Sequence, residues 1–360
     1  MPELLQAIKT EMTLRCDYVV APDTLYIGGG TPSLYSAGAL GGLVKAAQEV
    51  WHTDFKEVTI EVNPEDVTLD FCRALADHGV NRLSFGIQSF FDAHLQFMNR
   101  RHSAIQGIRA VEAARCAGFK NISVDLIFGF PGLSMRQWEK NIEQALALAP
   151  EHLSAYQLGI ERGTPFFKAY ERGLLQPVST EAAAAQYALL QALLPEAGIE
   201  QYEVSNFARE GYRSRHNSAY WRGVPYVGLG PSAHSFHGNE RHAHVRCVKR
   251  YLEGINKPPL QMKKERITLV KRYNEFILTR LRTVEGFSRF AFEQAFGEHQ
   301  VRRHFQEAAA RLLRQGLLRE QAGRIYIPRQ KLFVMDGIVV DLVMVPKRKY
   351  RRESKQNRRQ

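Results

Sequence analysis

The sequence predicts an α/β protein built on a parallel sheet, with a smaller α+β module behind it. Three observations carry this expectation. Between residue 1 and about 160, short apolar runs alternate with single segments of helical period. Polar residues gather late in those apolar runs or just after them. From about Lys263 the pattern turns helical again and closes on a short strand-like run. Strands joined one at a time by helices need right-handed crossovers, and so a parallel sheet. Periodicity leaves two architectures open: a βα barrel, complete or partial, and an open doubly wound sheet.

The elements follow in order. Leu4, Leu5, Ile8 and Met12 repeat at helical spacing. The strand "TLYI" comes next, then a helix from about Ala37 to Val50 and the strand "EVTIEV" at 57–62. A helix near 69–79 precedes "RLSFGI" at 82–87, and one at 103–117 precedes "ISVDLIF" at 122–128. A helix from Met135 to Leu148 leads to "HLSAYQL" at 152–158. Beyond Thr180 lies the helix "EAAAAQYALLQALLPEAG", then "YEVSNFA" and a stretch at 211–238 crowded with Gly, His, Ser and aromatic residues. Helices at 270–282 and 300–315 precede "GLL" and "RIYIP", a winged-helix-like arrangement over 263–345.

The 360 residues carry a formal charge of +12, of which +7 falls in the closing "KRKYRRESKQNRRQ". That tail reads as a solvated, disordered terminus able to meet nucleic acid or an acidic membrane surface. No run of 18 apolar residues occurs and no secretory leader is visible, so the expected compartment is the cytoplasm. Cys16, Cys72, Cys116 and Cys247 stand apart with no CxxC-type spacing, and the expected cytoplasmic setting argues against disulfides.

The residues able to do chemistry sit at strand ends, where α/β proteins place ligands. "IGGGTPS" (27–33) has three glycines that let a small molecule lie on main-chain amides, yet it is neither GxGxxG nor a P-loop. "IEVNP" puts Glu61 at a strand end, where a carboxylate can meet an amine or ribose hydroxyls; capping of the next helix is the bland alternative. "GIQSF" gives Gln88 the equivalent place, and Arg100 in "MNRRH" can grip a carboxylate with two hydrogen bonds. Asp125 lies inside an apolar strand, a costly position unless paired or ligand-bound. Together these groups suit an amino acid joined to a nucleoside. A second group, "SRHNSAYW" and "GLGPSAHSF", surrounds His216 and His234 with aromatic rings; it fits a haem or tetrapyrrole contact, or two hydrogen-bonded loop histidines.

Taken in order, "YIGGGTPSL", "IEVNP", "NRLSFGIQSF", "DLIFGFPG", "EHLSAYQL", "YEVSNFAR", "SRHNSAYWRG", "YVGLGPSAHS" and "LRTVEGF" are far more specific than any one of them. Over about residues 1–340 the sequence resembles the radical S-adenosylmethionine (SAM) proteins related to oxygen-independent coproporphyrinogen III oxidase. Its "HNSAYW" resembles the haem-binding motif of the haem-chaperone branch, HemW. The resemblance implies a partial (β/α)₆ barrel; the expected division is that barrel with the haem-motif region over 1–240, a connector at 241–262, the winged-helix-like domain at 263–345 and the basic tail at 346–360. It implies S-adenosylmethionine, a [4Fe–4S] cluster and haem as cofactors, and haem delivery to an acceptor protein. By motif, Gly29, Gly30, Thr31, Glu61, Gln88, Arg100, Asp125 and Gly159 match the family's nucleoside contacts, and His216 matches its haem histidine. The family's cluster loop, CxxxCxxC, has no counterpart among the four cysteines. The expectation is therefore a barrel without its first strand and its cluster ligands, from a start codon placed too late. Two rival functions follow from the same residues: the porphyrinogen oxidase itself, and a nucleic-acid-binding winged-helix protein.

Overall fold

The computed structural model describes residues 2–257, 259–297 and 299–345; the expected tail at 346–360 lies outside them. Helix α1 (Pro2–Leu14) precedes β1 (Thr24–Ile27), α2 (Ala37–Trp51), β2 (Glu57–Val62), α3 (Leu69–Asp77) and β3 (Arg82–Gln88). Two helices, α4 (Asp92–Phe97) and α5 (Ala104–Cys116), lead to β4 (Ile122–Phe128), α6 (Met135–Ala147) and β5 (His152–Gln157). Serine or threonine caps start most of these helices, and at α5 and α6 the capping box is complete through Ser103–Gln106 and Ser134–Gln137. After α7 (Pro165–Glu171) and α8 (Thr180–Glu196), β6 (Glu200–Gln201) and β7 (Asn206–Ala208) finish the sheet. The short α9 (Arg215–Trp221) carries the "HNSAYW" residues.

The sheet runs in the order β1-β2-β3-β4-β5-β7-β6. Strands β1 to β5 are parallel; β7 joins β5 antiparallel, and β6 joins β7. A doubly wound sheet reverses its strand order at a switch point. Here the first five strands follow the chain without reversal, so their crossover helices share one face and the sheet curls into a partial barrel. Among the described residues β1 pairs only with β2 and forms one edge.

Side-chain alternation gives the barrel two unlike faces. Val58, Ile60, Leu83, Phe85, Ile87, Val124, Leu126 and Leu153 are buried against helix residues such as Leu40, Val44, Leu75, Val111, Trp138 and Ile142. The intervening residues point inward and are polar: Thr59 and Glu61, Arg82 and Ser84, Ser123 and Asp125, His152 and Ser154. Parallel barrels ordinarily fill with Val, Ile and Leu, so a polar lumen marks this one as built around a ligand.

The rest of the chain braces the barrel. Strands β8 (His234–His237), β9 (Glu240–His244) and β10 (Met262–Arg266) form an antiparallel sheet, with α10 (Val248–Ile255) between the last two. The stretch 241–262 read as a connector therefore carries most of β9, all of α10 and the first residue of β10; its polar, broken sequence hid a strand pair held by backbone bonds. Helix α1 is fastened to this unit by Glu11, which is fully buried and accepts from His244 Nε2 (2.6 Å), Tyr251 Oη (2.7 Å) and Gly230 N (2.9 Å). The C-terminal module holds α11 (Leu269–Leu281), β11 (Phe287–Ser288), α12 (Arg289–Ala295), α13 (His299–Arg314), β12 (Arg319–Gln321), β13 (Arg324–Tyr326) and α14 (Met335–Val340). Its small sheet runs β11-β13-β12, and its core is a cluster of Tyr273, Phe276, Phe287, Phe292, Phe296 and Phe305. Buried Glu203 accepts from Arg282 Nε at 2.6 Å and so ties barrel to module, and the same guanidinium lies 4.6 Å over the Trp221 ring.

Candidate functional site: a polar cavity in the barrel

The inward-facing residues enclose a cavity of about 360 Å³ at the C-terminal end of the strands. Its upper wall is the glycine turn. Gly29 and Gly30 both have φ of +76°, a left-handed conformation that costs a residue with a Cβ about 1–2 kcal/mol. A Cβ on either would meet nothing within 4 Å, so their surface is open to a ligand. Gly28 is required for a different reason: a Cβ there would lie 2.5 Å from the Tyr26 ring and 2.7 Å from the Glu61 carboxyl. Those two groups form the wall's hydrogen bonds, with Tyr26 Oη donating to Glu61 Oε1 at 2.7 Å and Gly29 N to Oε2 at 3.0 Å.

Opposite stand Gln88, Arg100 and Asp125. Gln88 has φ +65° where the β3–β4 register shifts, a strained setting that favours Gly and turns this side chain into the cavity. Arg100 spends one nitrogen on Asn63 Oδ1 (2.8 Å) and Gly86 O (3.2 Å), leaving the rest of its guanidinium fork toward the cavity. Asp125 accepts from Ser84 Oγ (3.2 Å) and Ser123 Oγ (3.2 Å). Burial pushes its carboxyl up to about 6, against the opposing pull of hydroxyl donors and of the Arg82 charge.

Of the residues singled out in the sequence, Gly30, Thr31, Glu61, Gln88, Arg100 and Asp125 line this one cavity, and Gly29 joins it through Glu61. Gly159 does not line it. It lies past the end of β5, between Leu158 and Ile160, which wall a separate recess of about 270 Å³ with Phe167 and Tyr170. His216 stands behind the wall. Its Nδ1 shares a 3.0 Å hydrogen bond with Thr24 Oγ1, its ring stacks on Tyr26 at 4.7 Å, and Tyr220 meets it edge-on at 4.8 Å. Burial lowers its pKa to about 4, so the imidazole is neutral at pH 7. The first turn of α9 is held by Glu57, which accepts from Arg215 N (2.9 Å) and His216 N (3.0 Å). His234 lies apart, exposed at the start of β8.

Sequence reasoning missed Tyr26, Asn63, Arg82, Ser84, Ser154, Tyr156 and Asn217, all on the cavity wall. Parity held the clue to two of them, since residues 82 and 84 share a strand face with Gln88. The contact of Asn217 with β1-side residues had no local signal.

The cysteines do not approach this site. Cys72 is buried, Cys16 lies after α1, and Cys116 and Cys247 are exposed. Among the described residues no three His, Cys, Asp or Glu side chains are grouped to hold a metal ion, and no helix is long and apolar enough to cross a membrane.

Comparison with known proteins bears on the family and the fold. Residues 18–145 match the radical SAM superfamily model, and residues 267–334 match the HemN C-terminal domain. The chain is 34% identical over 333 residues to the heme chaperone HemW of Bacillus subtilis, covering 91% of this chain and 88% of that protein. It is 31% identical to the heme chaperone HemW of Mycobacterium tuberculosis, covering 94% and 86%. Among solved structures, coproporphyrinogen III oxidase (HemN) from Escherichia coli superposes with a TM-score of 0.79 at 20% identity, over 94% of this chain and 82% of that one, a likeness of fold.

Proposed function

The chain belongs to the HemW family of the radical SAM superfamily, and on that premise we propose that it binds haem and hands it to acceptor proteins, with S-adenosylmethionine in the barrel cavity. The observation that carries the cofactor half is the convergence of Gly30, Thr31, Glu61, Gln88, Arg100 and Asp125 on one cavity. Their chemistry fits a methionine nucleoside. Glu61 with the Gly29–Gly30 turn offers acceptor and main-chain groups to an ammonium. Arg100 presents a fork to a carboxylate. Asp125 and Gln88 can accept from ribose hydroxyls.

The superfamily implies a [4Fe–4S] cluster beside that nucleoside, which would supply an electron to the sulfonium. The four separated cysteines do not fit such a cluster, and we infer that this sequence does not itself provide its thiolate ligands.

His216 is the proposed haem contact. Its Nδ1 is held by Thr24, which fixes the ring and leaves Nε2 as the nitrogen free to bind, and the neutral imidazole is the form that ligates iron. Such an outer partner is typical of a histidine that binds metal. The experiment is a Soret titration of the purified protein with haem. His216→Ala should weaken binding at least tenfold, and Thr24→Val, which keeps the ring but frees it to rotate, should weaken it less. An unchanged titration for His216→Ala removes His216 from the haem site.

A further inference from the structure

We propose that Arg82 and Thr59 form a carboxylate subsite on the floor of the barrel cavity, which takes a carboxylate of a second molecule bound beneath the nucleoside. Arg82 is 2% exposed and lines the cavity, yet no hydrogen bond or ion pair among the described residues includes its side chain; its Nε is buried without a partner. Thr59 pairs with Arg82 in register and lies fully buried just behind the cavity lining, and its Oγ1 is likewise without a partner. Residues paired across parallel strands point the same way, so the two orphaned groups lie side by side.

The Asp125 charge reaches Arg82 through space, but no carboxylate of the lumen hydrogen-bonds its guanidinium. Every carboxylate in the lumen is taken by neutral donors: Glu57 by the start of α9, Glu61 by Tyr26 and Gly29, Asp125 by Ser84 and Ser123. The neighbouring imidazoles are held neutral: burial lowers the pKa of both His152 and His216, and the Arg82 charge adds to it. His152 is further occupied by Ser123 Oγ at 2.8 Å and Tyr202 Oη at 2.9 Å. A buried guanidinium whose N–H groups lack acceptors is unfavourable unless a ligand completes it.

The subsite is distinct from the groups assigned to the nucleoside. Glu61 pairs with Ser84, two residues further along β3 than Arg82, so Arg82 starts about 7 Å lower in the barrel. A guanidinium beside a hydroxyl matches a carboxylate, with two nitrogens facing its oxygens and the hydroxyl donating a third bond.

The test uses sodium propionate as the probe, at constant ionic strength balanced with chloride, and reads the thermal midpoint. The wild-type midpoint should rise saturably. In Arg82→Met the rise should vanish. Arg82→Lys should keep part of the response. A wild type that responds to propionate no more than to chloride, or an Arg82→Met protein that responds like wild type, overturns the proposal and leaves water on the floor. Arg82→Lys, which keeps the positive charge facing Asp125, separates loss of the subsite from loss of stability in Arg82→Met. A second arm compares haem with its dimethyl ester. A tenfold weaker ester in wild type, lost in Arg82→Met, identifies the carboxylate as a haem propionate; equal binding assigns it to a separate acid. That arm rests on the haem reading, whereas the propionate arm stands without it.

Discussion

Replacing Asp125 by Asn should stabilise the empty protein and weaken its hold on the nucleoside. Burial lifts this carboxyl from an ordinary 3.8 to about 6. At about 1.36 kcal/mol per pH unit, that displacement corresponds to about 3 kcal/mol of native-state destabilisation at neutral pH. The carboxyl borders the cavity and keeps some contact with solvent there, so about 1–2 kcal/mol is the better expectation. The sign follows from proton binding. Below pH ~4 the side chain is protonated both folded and unfolded, and wild type and variant should differ little. Between pH ~4 and 6 the unfolded chain releases the proton that the native state retains, so wild type loses stability relative to Asp125→Asn. Above pH ~6 the gap should be constant. Urea unfolding at pH 4, 5, 6 and 7.5 measures it, and the amide can still accept from Ser84 and Ser123. S-adenosylmethionine binding, followed by calorimetry at pH 7.5, should fall about 10–100-fold, since an acceptor loses its charge at ~1.5–3 kcal/mol. Parallel stability curves, or a variant less stable than wild type above pH 6, would refute the reasoning.

Two further outcomes follow from the geometry. Gly30→Ala should cost about 1–2 kcal/mol of stability from its φ of +76° alone, whereas Gly28→Ala should cost more, because its Cβ meets the Tyr26 ring and the Glu61 carboxyl; urea midpoints at constant m-value compare the pair. Arg282→Ala strands the buried Glu203 and should destabilise the protein by about 3–5 kcal/mol at pH 8. Burial raises the Glu203 pKa, so the stranded carboxyl takes up a proton as the pH falls, and the loss should be smaller at pH 5.

The parallel sheet was legible in the alternation of apolar runs with helical segments, whereas the choice of a barrel over an open sheet came from the family resemblance. "EVTIEV" and "ISVDLIF" place apolar residues toward helices and Glu61 or Asp125 inward, and the same parity extends to Arg82. Arg82 was overlooked because attention went to strand ends, while it opens its strand. The environment of His216 was not legible. Its partners Thr24 and Tyr26 are local in space only, with Thr24 192 residues away in the chain. The stretch 241–262 misled because β9 and β10 are polar strands held by backbone pairing, without the apolar alternation that announces a strand.

The distances along the chain between α1, β1 and their partners bear on how the protein emerges from the ribosome. Glu11 waits for His244, 233 residues later; Arg15 waits for Ser235, 220 residues later; and Thr24 waits for His216. At ~5–20 residues per second of synthesis, the opening helix and first strand spend about 10–50 s without these partners. A nascent chain stalled before residue 216 would therefore present the β1 edge, and Glu11 with Arg15 as its only partner, to whatever chaperone or protease attends translation.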